Sequence, residues 1–104
     1  MRYDILLAPE AVEDLDNLKA NVRAVVRDAL EQHLRHQPTK VSKSRIKRLR
    51  GLSQPQYRLR IGDDMRVFYD VTEQAVQVLA IVPKSAADAW LAKQGASDET
   101  GSSV

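Results

Sequence analysis

Cysteine is absent from this chain of 104 residues, which excludes disulfides, thiolate metal centres and thiol nucleophiles together. Glycine is scarce as well, with four in all, and none is spaced as a phosphate-cradling loop, so the pattern argues against a nucleotide-dependent enzyme. There is no internal repeat and no low-complexity block. No apolar run approaches the ~20 residues that a membrane helix needs, and Met1-Arg2-Tyr3-Asp4-Ile5 opens no hydrophobic signal region. The expectation is a cytoplasmic protein with no membrane partner. His33 and His36 stand at a metal-pair spacing, but His33 falls on an apolar stripe, His36 falls near a helix end, and no third ligand clusters with them. Neither a metal nor a cofactor is expected.

What is present is an ordinary globular composition, 43% hydrophobic and 29% charged, in a length that suits one domain burying about two thirds of its unfolded surface. The charge is uneven. The net charge is only +2, yet residues 40 to 66 hold nine cations against Asp63 and Asp64, a net +7, and the remainder carries −5. A basic middle between acidic ends points to nucleic acid or an acidic protein segment as partner.

The chain reads as a short strand from Arg2 to Leu7, then a helix opened by Pro9 and carrying Ala11, Val12, Leu15 and Leu18 at helical spacing. Asn21 is the expected cap of a second helix, whose stripe of Val22, Val25, Val26, Ala29, Leu30, His33 and Leu34 runs to about His36 before Pro38. Pro38 to Gly51 is polar and basic, anchored by Val41, Ile46 and Leu49, and reads as a long loop with a short extended piece. Three strands follow, Tyr57 to Ile61, Met65 to Val71 and Val76 to Val82, joined by short turns as an antiparallel meander. The last is apolar on both faces, as a central strand should be. Ser85 with Asp88 forms a capping-box pattern for a closing helix that ends at Gly95. The fold class is α+β: an N-terminal strand, a two-helix hairpin, a three-stranded antiparallel meander and a short C-terminal helix. Residues 1–95 form the domain and 96–104 a disordered tail. Tyr57, Phe68 and Tyr69 read as core aromatics, and Trp90 does not.

The meander carries the candidate site. Side chains alternate along a strand, so Arg58 and Arg60 share one face, opposite Tyr57, Leu59 and Ile61. Arg66 joins them across the Gly62-Asp63-Asp64 turn if the register matches. Three guanidiniums on one sheet face form a platform for phosphate oxygens or carboxylates. As exposed strand-face charges they are expected to matter little to stability.

The order of elements, with Lys47-Arg48-Leu49-Arg50-Gly51-Leu52, Tyr57-Arg58-Leu59-Arg60-Ile61, Met65-Arg66-Val67-Phe68-Tyr69-Asp70-Val71 and Val78-Leu79-Ala80-Ile81-Val82-Pro83-Lys84, resembles the RelE/ParE superfamily of bacterial type II toxins over roughly residues 1 to 92. The resemblance implies a cationic sheet face that either cuts messenger RNA at the ribosome, without metal, or targets a protein such as DNA gyrase. It also implies a cognate antitoxin held in a toxin–antitoxin hetero-oligomer. Under the nuclease reading Arg58, Arg60 and Arg66 are the catalytic cations with Lys84 as helper, and Lys43, Arg45, Lys47, Arg48 and Arg50 bind RNA. Ser85 and Leu91 stand where the nuclease pattern has an arginine and a base-stacking tyrosine, with Lys84 and Trp90 beside them.

Overall fold

Pro9 has no amide hydrogen to leave unpaired in a first helical turn, and the first helix begins there. In the computed structural model, which describes residues 2–97, β1 (Asp4–Leu7) leads into α1 (Pro9–Asp16) and α2 (Ala20–Leu34). Two short strands follow, β2 (Ile46–Arg48) and β3 (Leu52–Gln54), then β4 (Tyr57–Ile61), β5 (Met65–Val71) and β6 (Ala75–Pro83). α3 (Lys84–Gln94) and the two-residue β7 (Ala96–Ser97) close the described chain. The architecture is α+β. No helix among the described residues is long and apolar enough to cross a membrane.

The main sheet has the order β1-β6-β5-β4-β2, with β1 parallel to β6 and the other pairings antiparallel. The meander is therefore as its short connections require, and β6 is central, between β1 and β5. The extended piece within the basic loop is β2, which adds an edge strand beside β4. β3 and β7 pair separately, so Ala96 and Ser97 continue the ordered backbone; the rest of the expected tail lies outside the described residues.

One face of the sheet meets α1 and α2. Leu59, Val67, Tyr69, Val76 and Val78 pack there against Ala11, Val26, Leu30 and Leu34. A register shift between Phe68 and Tyr69 lets Val76 and Val78 on one side of it and Ile81 on the other all join this core. The Asp14 carboxylate of α1 supports β6 just past that shift, accepting the Ile81 N–H at 2.9 Å. Tyr69 sends its hydroxyl to the Pro38 carbonyl, 2.7 Å away and buried, which pins the start of the basic loop to the core. Burial pushes the Tyr69 hydroxyl pKa far up.

Both expected helix caps are corrected. α2 starts at Ala20 with Lys19, not Asn21, at the cap position and no side-chain cap. The α1–α2 corner is closed instead by Arg23, which donates to the Leu15, Asp16 and Leu18 carbonyls at 3.1, 3.1 and 2.8 Å, satisfying acceptors that a helix end leaves open. α3 starts at Lys84 with Pro83 as cap, so Ser85 caps nothing; the Lys84 N–H is taken by the Asp64 carbonyl at 2.7 Å. Gly95 does terminate α3, its N–H bonding to the Leu91 carbonyl. Val25, expected on the buried stripe of α2, is 57% exposed.

The second face of the sheet is only half covered. α3 crosses the end that carries Phe68, Ala80 and Val82, bringing Ala87, Trp90 and Leu91 into a small second core. Phe68 and Trp90 stack at 5.0 Å with 4° between their planes, an arrangement worth about 0.5–1.5 kcal/mol beyond burial. The Trp90 indole N–H donates to Glu10 at 2.9 Å. Trp90 is thus a packing aromatic, contrary to its expected reading. The same face holds the arginines.

Candidate nucleic-acid interface

Register decides which cations meet. β4 and β5 place Arg60 directly opposite Arg66 and Arg58 opposite Phe68, while β2 places Lys47 opposite Arg58. Directly opposed residues share a face, so Lys47, Arg58, Arg60 and Arg66 stand together on the sheet face that α3 partly covers. Phe68 is the boundary between this cationic ground and the second core.

The three arginines sit in different environments. Arg66 is only 7% exposed. Its Nη1 donates to the Met65 carbonyl at 2.9 Å, with longer contacts of 3.5 Å to the Gly62 and Asp63 carbonyls. It therefore holds the hairpin turn as well as facing the platform, and the expectation that all three are exposed and dispensable to the fold is corrected. Arg60 spans outward, donating to the Gly62 carbonyl at 3.1 Å and pairing with Asp63 at 2.7 Å. The Asp63 side chain is 87% exposed, and so open a pair contributes about 0–1 kcal/mol. An incoming phosphate can displace it.

Arg58, one cross-strand pair along from Arg60 and Arg66, is half-buried, and its Nε is buried with no hydrogen-bond partner. Burial lowers its pKa first, and the neighbouring Arg66 and Arg60 guanidiniums lower it further. The fold thus holds a guanidinium among like charges with a donor unspent. That is an energetically unfavourable arrangement, and a bound anion relieves both parts of it at once.

The remaining expected site residues divide. Arg45, just before β2, lines a shallow hollow of about 240 Å³ with Arg60, Gly62 and Asp63, and the Arg60 N–H donates to the Arg45 carbonyl at 2.8 Å. Arg48 is taken up structurally: it donates to the Leu49 and Gln56 carbonyls and lies 5.3 Å over the Tyr57 ring, which stacks on Tyr69. Lys43 and Arg50 are exposed in the segments flanking β2. Lys84 lies apart, lining a hollow of about 700 Å³ with Asp63, Asp64, Ser85 and Asp88. Its surroundings are carboxylates rather than guanidiniums.

Two contributors escape a reading of charge alone. Asp63 is the counter-ion of Arg60, and its only sequence signal is a spacing of three across a turn. Asp70, on β5, accepts the Gln56 N–H at 2.8 Å and the Gln54 side-chain amide at 2.9 Å, fixing the loop that delivers β4. Among the described residues no group of three His, Asp or Glu is placed to hold a metal ion.

A small α+β domain with a two-helix hairpin on one face of a mixed five-stranded sheet matches the fold of the type II toxins of the RelE/ParE superfamily. The model of the ParE toxin of the type II toxin–antitoxin system, parDE, matches residues 5–87, and the chain belongs to that family. Similar solved structures include the RelBE2 toxin–antitoxin complex of Mycobacterium tuberculosis, 22% identical, covering 81% of this chain and 100% of that one with a TM-score of 0.61. The RelE–RelB complex of Pyrococcus horikoshii OT3 is 27% identical over 81% of this chain and 97% of that one, with a TM-score of 0.59. The DinJ–YafQ complex of Escherichia coli shares the fold at 14% identity over 83% and 97%, with a TM-score of 0.62. Comparison with curated sequences gave no match.

Proposed function

We propose that this toxin stops translation by cutting messenger RNA on the ribosome, with Arg58, Arg60 and Arg66 gripping the scissile phosphate, and that a cognate antitoxin silences it. The gathering of three guanidiniums on one sheet face, one of them with an unspent donor, carries this reading. In the reaction the ribose 2′-oxygen bonds to the adjacent phosphorus as the bond to the 5′-oxygen breaks. The attacking hydroxyl gives up its proton and the departing oxygen takes one. Guanidiniums stay protonated at neutral pH, so these arginines stabilise the charge that builds on the phosphoryl oxygens and leave proton transfer to others. Removing one preorganised donor aimed at a developing oxyanion typically costs about 3–4 kcal/mol. Lys84 is a helper only if RNA reaches the separate hollow that it lines with Asp63 and Asp64, and Lys47 and Arg45 extend the grip beside the arginines. Two of the similar solved structures are described as toxin–antitoxin complexes, and an acidic segment that orders on this basic face is the expected form of silencing.

A second reading has its own observation. Trp90 is committed to Phe68 and Glu10, and Ser85 and Leu91 occupy the positions of an arginine and a stacking tyrosine, so among the described residues the face has no free ring on which a base would rest. That favours a toxin that binds a protein such as DNA gyrase and cuts nothing. Primer extension on messages from a reconstituted translation reaction separates the two. New ends that require ribosomes and fade in Arg58→Ala support cleavage; intact messages together with blocked gyrase supercoiling overturn it.

A further inference from the structure

Beyond the arginine platform, the β2 edge carries a group of donors of which the reading above uses only Arg45. A hollow of about 280 Å³ opens between the C-terminal half of α2 and the loop leading into β2, lined by Gln32, His33, Gln37, Lys40, Ser44 and Arg45 among others. No carboxylate lines it. Ser42, also on its wall, accepts the Arg45 and Ile46 N–H groups at 3.1 and 3.3 Å, which leaves its hydroxyl hydrogen free to donate. Among the described residues neither Lys40 nor Arg45 is in an ion pair. We propose that this hollow is a second phosphate subsite, filled by a flanking phosphate of the same RNA strand that Arg58, Arg60 and Arg66 hold, so that the strand turns round the β2 edge.

Continuity supports the path. Ser44 and Arg45 line both this hollow and the one that Arg60 lines, so the donors run without a break from the sheet face to α2. The walls are also held in place. Ile46 is buried in the main core, the Tyr69 hydroxyl fixes Pro38, and the Arg60 N–H ties the Arg45 backbone to β4. A preformed cradle loses less ordering entropy on binding than a floppy one. His33 is held below the usual histidine range by burial and then by Arg45, so at neutral pH its imidazole is uncharged and keeps one N–H to donate.

The subsite rests on the phosphate-gripping reading, and the test separates the two. Full-length protein is titrated with 2′-O-methyl RNA, which cannot undergo the cleavage, as a dinucleotide and as a longer single strand. The variants are Lys40→Ala and Gln37→Glu, both exposed positions away from the arginines, alongside Arg58→Ala and Arg60→Ala. Each variant of the first pair should bring binding of the longer strand down toward that of the dinucleotide. Lys40→Ala should also reduce the slope of log K against log salt by about 0.7, the single-strand value for one phosphate contact. Dinucleotide binding should not change. In the wild type the His33 imidazole resonances should move with the longer strand and stay put with the dinucleotide. If both variants bind the longer strand as wild type does while Arg58→Ala and Arg60→Ala lose it, the subsite is wrong and the platform stands. If all four bind as wild type, the phosphate reading beneath it fails too.

Discussion

Arg58→Met separates what the platform does for binding from what it costs the fold. The guanidinium is half-buried with an unpartnered Nε, and a buried donor left unmade costs about 1–3 kcal/mol. Methionine is unbranched and flexible enough to follow the path of the arginine stem against Phe68, so most of the packing survives while the orphan donor and the repulsion from Arg66 and Arg60 vanish. Allowing for imperfect refilling, the net gain should be about 1 kcal/mol, which for a domain of this size raises Tm by about 4 °C. The sign with pH follows from the lowered pKa of Arg58. A base whose folded pKa lies below its unfolded one destabilises wherever it is charged and is relieved only in strongly alkaline solution. The full penalty is therefore present at neutral pH, and the gain from Arg58→Met should hold steady from pH 5 to 8, a window that spans about the ordinary working range.

Thermal unfolding by circular dichroism, with and without pyrophosphate, reads both halves of the argument. At ten times its dissociation constant pyrophosphate should stabilise the wild type by about 1.4 kcal/mol through mass action, and it should do little for Arg58→Met. A variant that melts below the wild type and responds equally to pyrophosphate would show that the guanidinium was satisfied all along and that the cluster does not gather anions.

Asp14 offers a charge test on the opposite face. Its pKa is raised, chiefly by burial, against the lowering effect of the Ile81 N–H, so its ionisation weakens the fold as pH climbs from the ordinary aspartate range through the raised value. Asp14→Asn keeps an acceptor for Ile81 and should be at least as stable as wild type at pH 7, about neutrality, whereas Asp14→Ala should lose about 0.5–1.5 kcal/mol in urea titration. Tyr69→Phe strands the buried Pro38 carbonyl and should cost about 1–3 kcal/mol. It should also speed amide hydrogen exchange in the loop before β2, and unchanged exchange there would mean the hydroxyl anchors nothing. At Gly95 an added Cβ would meet the Leu91 carbonyl oxygen at 2.6 Å and Leu52 Cδ2 at 3.3 Å, so Gly95→Ala should destabilise by about 1–3 kcal/mol, with fluorescence of the one tryptophan reporting any loosening of α3.

How much of this was legible in the sequence depends on the range of the forces involved. β4 and β5 are readable residue by residue, because alternation along Tyr57–Ile61 and Met65–Val71 is a local pattern that the sheet then honours. Pro9 marks α1 for the same reason. The caps escape local sequence because their true partners are remote: Arg23 reaches back across the corner to α1, and the Lys84 amide finds a carbonyl in the β4–β5 turn. The parallel pairing of β1 with β6 joins residues about seventy apart in the sequence, a separation no periodicity encodes. In the candidate site, the shared face of Arg58 and Arg60 was readable from strand period. The burial of Arg66 was not, since it depends on three carbonyls of a folded turn, nor was Asp63 as a counter-ion. The packing role of Trp90 is hidden in the sequence because its ring partner, Phe68, sits in a strand whose other apolar positions face the opposite core.

The division of the outer sheet face explains why the arginines are tolerated at all. β5 presents Arg66 and then Phe68 on that face, two residues apart, so one strand feeds both the cationic ground and the second core. α3 seals the Phe68 end with Ala87, Trp90 and Leu91, and its entry is fixed by the Lys84 amide on the Asp64 carbonyl. Apolar burial on the β6 side of the face therefore anchors strands that carry an unfavourable cluster on the β4 side. Extending α3 over Arg58 would bury guanidiniums without partners, at several kcal/mol per charge, and removing it would expose Phe68 and Val82. α3 therefore starts beside the Arg66–Val82 pair and packs over the β6 side of the face, so the guanidiniums of β4 are not covered by apolar side chains that would leave them without partners.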